Sequence, residues 1–88
     1  MKLSEKQLSY IVHLFENTSM FEDIPKHNEK YPDTFVDSRR LIFEDMIQHL
    51  TSPQANSLID TLLKEDEEQV KLLLKLYLWI MYQIVVGL

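Results

Sequence analysis

The chain has no cysteine, a single glycine (Gly87) and three prolines in 88 residues. Without cysteine there is no disulfide, no thiolate zinc or iron–sulfur site and no thiol nucleophile, so stability must come from packing alone. One glycine supplies too few positive-φ positions for the tight hairpins of an all-β fold. It also rules out the glycine-rich loops that cradle ATP or NAD phosphates. No long basic run exists either. The nine lysines and arginines are scattered among fourteen acids, for a net charge of −5. A surface of that sign repels a phosphate backbone, so direct nucleic-acid binding is not expected. The first residues, Met1-Lys2-Leu3-Ser4-Glu5-Lys6-Gln7, are charged where an export signal needs an apolar stretch, which makes the cytoplasm the expected compartment.

What is present describes a globular helical chain. Hydrophobic residues make up 45% and charged residues 26%, inside the range of folded domains. The length leaves no room for a second core, so residues 1–88 read as one domain. Ser4 and Gln7 have the spacing of a capping box, with Leu3 and Leu8 placed as a hydrophobic staple. Leu8, Ile11, Val12 and Phe15 then repeat at helical spacing, predicting a first helix over about 5–18. Residues 19–33 lack a period and read as a loop, anchored by Met20, Phe21, Ile24 and Tyr31, with one helical turn at Phe21–Ile24. Pro32-Asp33-Thr34 resembles a helix entry, giving a second helix over about 34–51. Its stripe is Phe35, Ile42, Phe43, Met46, Ile47 and Leu50, with Leu41 on the margin. Ser52-Pro53 supplies a cap and an N1 proline for a third helix over about 53–64, with Ala55, Leu58, Ile59, Leu62 and Leu63 on one face.

The acid run Glu65-Asp66-Glu67-Glu68 contains no glycine or proline, so the chain either breaks there or continues as one helix to residue 86. Acids favour the first turn of a helix, and an uninterrupted helix would be roughly 50 Å long at 1.5 Å per residue, too long for so small a globule. A fourth helix over about 67–86, capped by Asp66, is therefore expected. From Val70 to Val86 only Lys71, Lys75 and Gln83 interrupt the apolar residues. A helix apolar on nearly all sides is central in its fold, shared between subunits or in lipid. A membrane span needs roughly 20 apolar residues, and the run Leu76–Leu88 is shorter and contains Gln83. The expected architecture is an all-α, three- to four-helix bundle with a largely buried C-terminal helix as common partner of the others. Apolar surface left near the end of that helix predicts a homodimer, with Tyr77, Trp79, Tyr82 and Val86 as self-association residues.

Catalytic and metal chemistry find no support in the spacing. Asp45 and His49, at i, i+4, lack a third ligand and read as a surface ion pair, as do His13 and Glu16; His27 beside Glu29 faces water. Adjacent carboxylates such as Glu22 and Asp23 do not face each other on a helix, and nothing orients a serine next to a base. Arg40 is placed to pair with Glu44, while Arg39 covers apolar surface with its stem. No cofactor, metal or catalytic residue is expected. The acid run Glu65, Asp66, Glu67 and Glu68 reads as a recognition patch for a basic partner. The expected function is that of a small acidic, non-enzymatic regulator or inhibitor docking on a basic surface of a larger protein, such as the nucleic-acid channel of an enzyme. The alternatives are an assembly protein whose C-terminal helix forms the oligomer interface, and a membrane-peripheral protein.

Overall fold

In the computed structural model of the chain, the backbone is described for residues 1–32 and 36–86, and side chains for 1–32 and 36–79. Helix α1 covers Glu5–Glu16. Its capping box closes as the spacing predicts: the Gln7 amide donates to Ser4 Oγ at 3.1 Å, and the Ser4 amide to Gln7 Oε1 at 2.8 Å. The Gln7 side-chain amide also donates to the Ser52 carbonyl and to Asn56 Oδ1, so a local cap doubles as a cross-link to the third helix. The helix stops two residues short of 18. There the Asn17 and Thr18 amides turn back to the Leu14 and Phe15 carbonyls.

The segment that follows is anchored rather than free. Ser19–Asp23 forms a 3-10 turn, and Met20 and Ile24 are fully buried, with Phe21 and Tyr31 packed against the core. Arg39 donates through Nε to the Ile24 carbonyl at 3.0 Å, and the Ser38 amide to that of Lys26 at 2.9 Å. Arg39 thus ties the loop to the next helix, a polar role that its reading as a covering stem missed.

Helix α2, Arg39–Ile47, is about half the length that periodicity predicts. The proposed entry at Asp33 and Thr34, and Phe35 in the stripe, lie outside the described residues. The N-cap position is Ser38, whose side chain makes no capping bond, and Asp37 one residue earlier accepts from the Arg39 amide through Oδ1 at 3.0 Å. At the other end the apolar period continues to Leu50, but the backbone leaves the helix because it has other partners. The Leu3 amide donates to the Leu50 carbonyl at 3.0 Å, the Ser52 amide to the Met1 carbonyl at 2.7 Å, and Lys2 and Thr51 form an isolated antiparallel bridge. Ile42, Phe43, Met46, Ile47 and Leu50 are all buried and Leu41 is exposed, so the stripe survives the shorter helix.

The same bridge moves the cap of α3, Ser52–Leu63, by one residue. Thr51, extended at φ −76° and ψ 161°, accepts from the Gln54 amide while Gln54 Oε1 accepts from the Thr51 amide. Thr51 rather than Ser52 is therefore the cap, and Pro53 sits at the second helical position, where an amide has no intrahelical partner to lose. After Lys64 the chain breaks at Glu65, which takes a positive φ of 58°. Asp66 Oδ1 then accepts from the Gln69 amide at 3.1 Å, and α4 runs Glu67–Val86. The acid run is a corner between two helices.

The molecule is an all-α bundle with no strand among the described residues. Its helices share one hydrophobic cluster, which contains the stacked rings of Phe15 and Phe43, 4.0 Å apart and 8° from parallel, with Phe21 edge-on to Phe15. The common partner is α1, which packs against α2, α3 and the 3-10 turn; α4 lies against α3 and α2. Among the described residues, then, the place of common partner expected of the last helix is taken by α1. Over its described side chains α4 buries one stripe, Val70, Leu74 and Leu78, with Leu73 and Tyr77 partly covered.

Candidate interaction face

On α4 the inward stripe at i, i+4, i+8 leaves the opposite side of the cylinder to water. That side carries Leu72, Leu76 and Trp79, exposed by 58%, 73% and 59%. They recur at i, i+4, i+7 and so form a continuous apolar ridge. Glu68 and Gln69 lie on the same face one turn earlier, both exposed, and Lys75 is half-buried beside Leu76. The helix axis breaks at Leu78, whose φ of −124° and ψ of 22° are not helical. Leu78 is also the last described side chain that reaches the core. Other exposed apolar residues, such as Tyr10 on α1, Leu41 on α2 and Leu63 on α3, stand on separate elements.

Of the residues that sequence reasoning assigned to self-association, Trp79 lies on this ridge and Tyr77 turns towards the core. The side chains of Tyr82 and Val86 lie outside the described residues. Leu72 and Leu76 were missed. The sequence alone does not separate them: only once Val70 and Leu74 are known to face in does the 3.6-residue period force residues 72, 76 and 79 outwards.

The acid run divides by role. Asp66 caps α4, and Glu67 accepts a hydrogen bond from the Ser19 hydroxyl, joining the corner to the end of the loop that follows α1. Glu65, Asp66 and Glu68 are exposed, and none of the three forms an ion pair with a described lysine or arginine. Glu65 holds a left-handed conformation that a Cβ disfavours and that glycine adopts freely at this position after a helix. Glu65→Gly is expected to stabilise the fold by about 0.5–1 kcal/mol, read as a higher urea midpoint. An unchanged or lower midpoint shows that the corner carries no such strain.

Two ion pairs join different elements. Arg40 Nε lies 3.2 Å from Glu16 on α1 and 3.8 Å from Glu44, so the expected i, i+4 pair exists and a longer-range one is shorter. Asp45 pairs with Lys30 at 2.9 Å, not with His49, and Glu16 with Arg40, not with His13. The hydrogen bond that Lys30 donates to the Asp45 carboxylate holds its ammonium above its ordinary pKa. Because that pKa is raised on folding, the link is intact at neutral pH and is lost only as pH climbs through the lysine range. Among the described residues no three His, Asp or Glu side chains gather to hold a metal ion, and no helix is long and apolar enough to cross a membrane.

Comparisons with known protein families, with curated proteins and with solved structures find no match to this chain.

Proposed function

We propose that the protein is a non-catalytic binding module whose working surface is the outer face of α4. The observation that carries this reading is the ridge of Leu72, Leu76 and Trp79, more than half exposed on a helix whose opposite face, over its described residues, buries Val70, Leu74 and Leu78 in the core. Isolated exposed apolar residues are ordinary; three aligned on one helix face, including a tryptophan, have the composition and geometry of a helix-docking surface. Folding alone does not require them there, since the inward stripe already holds α4 to the bundle.

A photo-crosslinking amino acid at position 76, introduced in the source cells, tests this. Position 10 on α1, also exposed, serves as the control. Adducts of defined mass from position 76 and none from position 10 are the expected result. Equal or absent crosslinking at the two positions overturns it.

A second reading is favoured by the unneutralised corner formed by Glu65, Asp66 and Glu68. In this reading the corner docks on a basic protein surface, such as one that otherwise receives nucleic-acid phosphates. It predicts that the adducts fade with added salt and with Glu65→Lys, whereas apolar docking tolerates both.

A further inference from the structure

Like-charged and oppositely charged residues are not mixed at random along the α4 ridge. Glu68 stands at its N-terminal end and Lys75 two turns later, on the same side of the line through Leu72 and Trp79. Neither forms an ion pair with another described side chain. The face is therefore polarised along the helix, acid first and base second, with leucine between.

Such a face is complementary to its own reversed copy. We infer that its occupant is a second copy of this chain, docked antiparallel through α4 about a two-fold axis near Leu72. The inference rests on the binding role proposed for the ridge and names its partner. In an antiparallel pair centred on Leu72, residues whose numbers sum to about twice 72 face each other, so Glu68 of each copy meets Lys75 of the other. The two-fold makes that contact twice. Leu72 of the two copies meet at the centre, each Leu76 lies beside Glu68 and Gln69 of the other copy, against the stems of those side chains, and each Trp79 extends over the turn that precedes the other copy's helix. A parallel, in-register pair would set Glu68 against Glu68 and Lys75 against Lys75, and would align the two helix dipoles unfavourably. Charge pattern and dipole both select the antiparallel arrangement.

Sedimentation across a dilution series on the full chain, with charge-reversal variants, tests this. Both positions lie on the outer side of α4, away from the buried stripe, and circular dichroism checks that each variant keeps its helix. Wild type is expected to dimerise reversibly. Glu68→Lys and Lys75→Glu should each raise the dissociation constant about tenfold, because each reversal replaces two attractive contacts per dimer with two repulsive ones. The double variant Glu68→Lys with Lys75→Glu should return to within about threefold of wild type, since the pairing is restored with its signs exchanged. A wild type that stays monomeric at every concentration overturns the proposal, as do single reversals without effect or a double variant that fails to recover. The wider binding role fails on a different result, the absence of adducts from position 76, and a monomer that still gives them retains the binding face with a different partner.

Discussion

Phe43→Ala is expected to remove a large part of the stability of the fold. Phe43 is wholly buried and stacked on Phe15, and these two rings join α2 to α1, the helix that every other part of the core leans on directly or through α3. Truncating a buried phenylalanine costs about 3–5 kcal/mol, in lost transfer energy and in the void left behind. A domain of this size has about 5–15 kcal/mol in total, and without disulfides there is no covalent constraint to limit the unfolded state. The loss is aggravated because the Phe15 ring loses its stacking partner and keeps only the edge contact with Phe21. Urea unfolding followed by far-ultraviolet circular dichroism measures it. A variant within 1 kcal/mol of wild type means that the pair does not join the two helices as described.

Leu74→Ala produces a loss of similar kind but different reach. Leu74 is fully buried at the centre of the inward stripe that the described residues of α4 form, flanked by Val70 one turn before and Leu78 one turn after. The expected cost is about 2–5 kcal/mol. Helix α4 is held chiefly by α3 and α2, so the released segment is α4 before the rest of the bundle. Hydrogen exchange should show the amides of residues 70–78 losing protection ahead of those of α1. The matched change on the other face, Leu72→Ala, should move stability by no more than about 0.5 kcal/mol. If both variants behave alike, the inward and outward faces of α4 have been assigned wrongly.

The contrast between these leucines also shows how far the amino-acid sequence reaches. From Leu72 to Leu74 the chain is three consecutive leucines, and composition alone does not say which of them is inside. The period of the helix divides them once Val70 and Leu78 are known to face the core, but that knowledge is tertiary. The same holds for the ends of α2. Leu50 continues the apolar period and is buried as the period demands, yet its carbonyl accepts from Leu3, which arrives from the start of the chain. A backbone hydrogen bond made across some 47 residues leaves no trace in the local pattern. It ends the helix early and shifts the next cap from Ser52 to Thr51.

Arg39 and Asp45 repeat the lesson for charge. Local spacing offers Asp45 a neighbour in His49 and leaves Arg39 as an apolar stem, but the folded loop brings the Ile24 carbonyl to Arg39 and Lys30 to Asp45. Arg40, whose local partner Glu44 does materialise, is also closer to Glu16 on α1.

By itself the sequence determined the helical class, the Ser4–Gln7 cap and most of the buried stripes of α1 to α3, with Leu63 turned outwards against its expected place on the α3 face, and it favoured without fixing a break in the acid run, because capping geometry, side-chain period and the placing of acids at a helix start act over one to four residues. Only the tertiary structure decided that α1 and not α4 is the common partner, where α2 ends, and that Leu72, Leu76 and Trp79 face outwards with Glu68 and Lys75 beside them. Those outcomes depend on which apolar faces compete for the same core, and that competition is settled between segments far apart in the chain.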